Sequence, residues 1–81
     1  MQYPKIIEVK PLENFRIKLN YETGEVKILN VLPYIKGEWF EELYNNDYFK
    51  TVHLIQNGNG IEWENGQDIA PHELYDLSIG I

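Results

Sequence analysis

From Phe15 to Tyr21 apolar and polar side chains alternate without a break: Phe15, Ile17, Leu19 and Tyr21 fall on one side of an extended chain, Arg16, Lys18 and Asn20 on the other. Successive side chains of a strand point to opposite faces, so the pattern predicts a half-buried antiparallel strand. Glu22-Thr23-Gly24 reads as a turn whose glycine accepts a positive φ, and alternation resumes over residues 25–30. Upstream, residues 5–10 form a β-branched run with Ile7 and Val9 in phase against Glu8 and Lys10. Pro11-Leu12-Glu13-Asn14 is expected to end it, because proline cannot donate to a ladder. These three strands make a meander.

Beyond Pro33 the period changes. Ile35, Trp39 and Leu43, with Phe40 and Tyr44, recur at i, i+4 spacing, and Glu38, Glu41 and Glu42 take the remaining positions. That predicts an amphipathic helix of about ten residues stopped by Asn45-Asn46. Tyr48-Phe49 returns the chain to the core. Residues 50–56 then read as a strand, with Val52 and Leu54 in phase against Thr51, His53 and Ile55. Asn57-Gly58-Asn59-Gly60 is a strong hairpin signal, followed by a returning strand over 61–64 with Ile61 and Trp63 facing inward. A short helix starts near Asp68, with Pro71 in its first turn and Leu74, Tyr75 and Leu77 as candidates for burial. The predicted order is βββαββα. It implies a two-layer α+β fold, a mostly antiparallel five-stranded sheet with two helices, in one domain spanning 1–81.

Composition narrows the functional classes. A chain of 81 residues builds one small core, and its two Trp, six Tyr and three Phe supply large buried areas for it. Without cysteine, neither a disulfide framework nor a thiolate metal site can assist. The net charge of −6, with no block of basic residues, argues against direct nucleic-acid binding and for a basic protein partner. No apolar run nears a membrane span, and the start MQYPKIIEVK lacks the pattern of a signal peptide, so a cytoplasmic location is expected.

Two groups of residues are candidates for binding. Trp63, Asn65, Gly66 and Asp68 concentrate aromatic and polar groups at a strand-to-helix junction, where Trp63 otherwise anchors the core and Asp68 caps the helix. Glu38, Glu41 and Glu42 offer an acidic docking face to a basic partner. His72 and Asp76 share a helix face but lack a third metal ligand, and His53 has no evident nucleophile or orienting carboxylate near it in sequence. No metal, cofactor or catalytic residue is assigned. Lys10, Arg16 and Lys18 share the outer side of the sheet, with Lys5 and Lys27 as further members of a basic stripe.

Pro4 before the first strand, the turn at Gly24-Glu25, Trp39-Phe40-x-x-Leu43 and Tyr48-Phe49-x-x-Val52 are distinctive. The most specific stretch is Gly60-Ile61-x-Trp63-x-Asn65-Gly66-x-Asp68-Ile69-x-Pro71-x-x-Leu74-Tyr75. Together they resemble the DUF2442 family of small bacterial proteins over nearly the whole chain. The resemblance implies a two-layer α+β fold and no assigned activity. Some family members are fused to helix-turn-helix domains, and others look like partners of a second small protein in toxin–antitoxin-like gene pairs. The first helical turn, Ala70-Pro71-His72-Glu73, departs from a normal cap by lacking Ser, Thr, Asp or Asn. The expected function is a protein-binding module, an adaptor or antitoxin-like component working through a protein partner or as a homodimer, and not an enzyme. The alternative is a small-molecule-binding protein or enzyme with its site at the Trp63–Asp68 junction.

Overall fold

The computed structural model describes residues 3–81. It is an α+β protein with two antiparallel sheets, where the sequence pattern predicted one sheet of five strands. The first sheet has the order β1-β2-β3-β7, from strands Ile6–Leu12, Arg16–Tyr21, Val26–Asn30 and Ile79–Gly80. The second has the order β4-β5-β6, from His53–Ile55, Gly60–Glu62 and Asp68–Ile69. The split falls between the meander and the β4–β5 hairpin, which share no ladder among the described residues, and each sheet gains a dipeptide strand, β7 or β6, too short to leave a period in the sequence. β7 closes on β3, and β6 extends the β4–β5 hairpin.

The meander is as the alternation predicts, with one correction of phase. Ile17, Leu19 and Tyr21 are buried, and Arg16, Lys18 and Asn20 are not. In β1, however, Ile6 opposes Tyr21 and Glu8 opposes Asn20, so Ile7 is an extra residue in a bulge. The bulge puts Ile6 into the core and leaves Ile7 63% exposed, reversing the expected roles of these two isoleucines. Pro11 does not end the strand either: β1 lies at the edge of its sheet, where a missing N–H is tolerated, and runs on to Leu12.

The predicted ten-residue helix is three short pieces: α1 (Gly37–Phe40), a 3₁₀ turn (Glu41–Tyr44) and α2 (Asn46–Phe49). Two residues interrupt it. Gly37 has φ +79 behind an extended Lys36, so Ile35 lies outside the helix. Asn45, also extended, turns its side-chain oxygen to the N–H groups of Asp47 and Tyr48 and starts a new helix instead of stopping the old one. Tightening to three residues per turn shifts the apolar stripe, so Leu43 is fully buried while Trp39 and Tyr44 are 55% and 52% exposed.

The last helix, α3 (Pro71–Asp76), begins three residues later than Asp68, which belongs to β6. Asp68 therefore caps nothing; Ala70 holds the cap position without a side-chain bond. Leu74 is buried as expected, but Leu77 is 60% exposed because the chain turns away to form β7. Tyr75 fastens α3 to the meander. Its hydroxyl donates to both oxygens of Glu25 at 2.8 Å, and its ring packs edge-on against Tyr21. Burial beside Tyr75 and Glu25 pushes the Tyr21 hydroxyl up to about 12. Lys27 sits on the inner side of β3, in register with Leu19, and reaches over the Tyr75 ring at 3.8 Å, so it is no part of an outer basic stripe.

One core joins the two sheets and the helices. Ile17, Leu19 and Leu29 from the first sheet share it with Ile61 and Ile69 from the second, with Trp63 just past β5, and with Leu43, Phe49 and Leu74 from the helical segments. Full burial of each such side chain contributes about 1.5–3 kcal/mol. Among the described residues no helix is long and apolar enough to cross a membrane.

Candidate functional site

The junction predicted from Trp63 to Asp68 is packed rather than open. Trp63 is fully buried, its indole N–H donating to the Phe49 carbonyl at 2.9 Å and its main-chain N–H to the Gln67 carbonyl at 2.9 Å. Asn65-Gly66 makes the turn, with Gly66 at φ +95 and its N–H on the Trp63 carbonyl. At its centre is Gln67, fully buried, which the sequence reading passed over between Gly66 and Asp68.

Gln67 uses both ends of its amide. Its Nε2 donates to the Trp39 carbonyl at 2.8 Å and to Glu42 Oε1 at 3.0 Å, and its Oε1 accepts from the Tyr48 hydroxyl at 2.6 Å. The Tyr48 oxygen in turn accepts from the Asn65 N–H at 2.7 Å. Asn65 Nδ2 bonds both Glu42 oxygens, at 3.0 and 2.9 Å. The two candidate groups are therefore one region: Asn65 belongs to the same network as Glu42, and the network holds α1 and its 3₁₀ turn against the Asn65–Gln67 turn. Nothing in the sequence marks the buried glutamine, since glutamine is an ordinary surface residue and gains this role only from side-chain contacts made across 19 or more positions.

What the network presents outward is Trp39. Its indole lies over Gly66, with Cζ2 3.9 Å from where a Cβ would stand, and packs edge-on against Phe40. Glu38 and Glu41 flank it, both exposed, while the Glu42 carboxylate is taken up inside the network. Tyr44 continues the aromatic surface toward Phe15, its ring centroid 5.7 Å away. Asp68 lies apart, exposed on β6 in register with Glu62.

Register also gives His53 a partner that was hidden in sequence. His53 faces Glu62 across the β4–β5 pair, with Nε2 3.2 Å from Glu62 Oε1 and Nδ1 2.9 Å from the Thr51 carbonyl. Only the imidazolium donates from both nitrogens, so Thr51, then Glu62, raise the His53 pKa above its ordinary 6.5. The stabilisation this gives is present below the unfolded value and is lost as pH rises through the raised folded one. Glu62→Gln is expected to lower the His53 midpoint, followed by the imidazole proton resonances, while leaving it above 6.5 because the Thr51 carbonyl remains. An unchanged midpoint would show that the carboxylate has no hold on the ring.

A cleft of about 530 Å³ lies elsewhere, between the β1–β2 turn and α2, lined by Phe15, Phe49, Glu13, Asn14, Asn46 and Lys50 among others. Asn14 and Phe15 hold φ of 61° and 57° there, a conformation uncommon for an aromatic residue. Phe15 is kept in it by edge-on packing against Phe49 and Tyr44.

Fold and surface define a small two-sheet α+β domain that displays Trp39 beside the exposed carboxylates of Glu38 and Glu41. The family model described as Protein of unknown function (DUF2442) matches residues 6–80, and the chain belongs to that family. No curated protein and no solved structure matches the chain.

Proposed function

We propose that this chain is a protein-binding module, an adaptor or antitoxin-like component, that works through a basic protein partner or by self-association on its Trp39 face. One observation carries the reading. Of the two tryptophans, Trp63 is fully buried, whereas Trp39 is 55% exposed, its main-chain carbonyl bonded by Gln67 and its ring resting on Phe40. Tryptophan dominates interface energetics out of proportion to its frequency, and an anchored backbone beneath an exposed ring leaves less to be ordered on binding. Glu38 and Glu41 give that face a sign, complementary to a basic surface, and raise the rate of encounter with one.

The test is affinity capture from the host lysate with the native chain and with Trp39→Ala, beside a light-scattering mass of each. The native chain is expected to retain one abundant basic protein or to form a dimer, and Trp39→Ala to lose it by a factor of about thirty or more while keeping its thermal midpoint. Recovery of the bait alone, at monomer mass, overturns the proposal.

A small-molecule reading has one observation in its favour, the 530 Å³ cleft beside Phe15. On that reading the site is the cleft at the β1–β2 turn, because the Trp63–Asp68 junction is packed.

A further inference from the structure

The outer face of the four-stranded sheet carries a different chemistry from the rest of this acidic chain. Strand register sets Lys10, Lys18, Ile28 and Ile79 side by side in one row across all four strands. A neighbouring row holds Leu12, Arg16 and Asn30. Three of the seven basic side chains of the protein thus share this face. The strand residues there include one carboxylate, Glu8, which accepts from Asn20 Nδ2 at 3.1 Å. Among the described residues the one ion pair is His53–Glu62, so Lys10, Arg16 and Lys18 have no carboxylate within bonding distance.

Apolar side chains continue the row. Ile79 is 73% exposed and Leu77 60%, and with Ile28, Pro33 and Tyr34 they line a cleft of about 200 Å³ beside β3. The Tyr34 hydroxyl, in that wall, is buried without a hydrogen-bond partner. An antiparallel sheet commonly leaves its second face to solvent, so the signal here is the cluster of exposed aliphatic groups on that face, which marks a contact surface.

We infer that this face docks an acidic amphipathic helix of a partner protein, with aliphatic side chains on Ile28, Ile79 and Leu77 and carboxylates on Lys10, Arg16 and Lys18. Charge decides among occupants. A second copy laid face to face would set Lys10 and Lys18 against their own equivalents, at a cost in repulsion. Nucleic acid would gain three cations but face an overall charge of −6 and a row of Lys10, Lys18, Ile28 and Ile79 with no aromatic ring on which a base could stack. An acidic helix is repelled by the molecule as a whole and attracted to this face, where Lys10, Arg16 and Lys18 lie together.

The inference concerns a surface other than the Trp39 face, so the two stand or fall separately. The experiment uses the ¹⁵N-labelled full chain and two synthetic amphipathic peptides with one leucine pattern, one flanked by glutamates and the other by lysines. The glutamate peptide is expected to move the amide signals of Lys10, Lys18, Ile28 and Ile79, more weakly as salt rises, and the lysine peptide to leave them in place. Lys18→Glu should weaken the glutamate peptide about tenfold, and Trp39→Ala should leave its affinity unchanged. Should Lys18→Glu fail to fold, the mapping on the native chain decides alone. Signals that stay still with the glutamate peptide, move equally with both, or move only with a short duplex DNA overturn the inference. So does a dimer that Ile79→Lys dissociates.

Discussion

Gly58→Ala is expected to remove about 3 kcal/mol or more of folding stability, far more than the same change at Gly24. Both glycines have a positive φ, +92 and +93, so alanine is strained by about 1 kcal/mol at either. Their surroundings separate them. A Cβ at Gly24 meets nothing within 4 Å, whereas one at Gly58 stands 2.3 Å from the Ile6 carbonyl oxygen and 3.3 Å from its carbon and nitrogen. Backbone cannot swing aside as a long side chain can. Ile6 is fixed from both directions, its side chain in the core and its main chain in β1 beside the bulge. Overpacking of this kind costs a further 1–3 kcal/mol or so. An 81-residue domain has roughly 4–12 kcal/mol in total, so the variant sits at the margin of folding. Urea unfolding of both variants beside the native chain measures the difference, and equal losses would mean that β1 can move away from the second hairpin.

That contact is also where sequence reading stopped. The meander, the hairpin at Asn57–Gly60 and the inward Ile61 and Trp63 were legible because each follows from a local period or a local turn. The bulge at Ile7 was not, since it is fixed by register with Tyr21 and by the packing of Ile6, neither visible along the chain. The same distinction governs the helical segment. Its i, i+4 spacing was real, but spacing assumes one uninterrupted helix, and Gly37 and Asn45 cut it. Trp39 was consequently read as core and turned out to be surface, which changes it from a packing residue to a candidate contact.

The candidate site divides in the same way. Residue types sufficed to single out Glu42 and Asn65, yet only the fold shows that they bond each other. Glu38 and Glu41, which face solvent, were expected for their charge and keep it free. Asp68 was expected at a helix cap and lies instead in a strand, because the chain between Gln67 and Pro71 first pairs with β5.

Substitutions at Gln67 are expected to have the second large effect, and two of them separate packing from hydrogen bonding. Gln67→Leu keeps most of the volume but leaves the Tyr48 hydroxyl without its acceptor and the Trp39 carbonyl without its donor. Each buried group stripped of its partner costs about 1–3 kcal/mol, so a loss of about 3 kcal/mol is expected, independent of pH between 4 and 8 or so. Gln67→Glu keeps the acceptor for Tyr48 and places a buried carboxyl within reach of Glu42, at the position where Nε2 now donates to it. Burial and the like charge both raise the folded pKa of the introduced group above its unfolded value. Stability is then present below the unfolded value and falls as pH rises through the raised one, so this variant is weakest at neutral pH and recovers in acid. Urea unfolding across that range distinguishes the two. Parallel pH profiles for both variants would mean that Gln67 acts by filling space alone. With the network broken the Trp39 main chain loses its anchor, so partner capture should weaken in both variants, and in Gln67→Glu it should return together with stability as the pH is lowered. Capture that stays weak in Gln67→Leu under conditions where urea unfolding shows the variant fully folded is what distinguishes a residue that positions the Trp39 face from one that merely supports the fold, and Trp39→Ala should weaken capture at every pH.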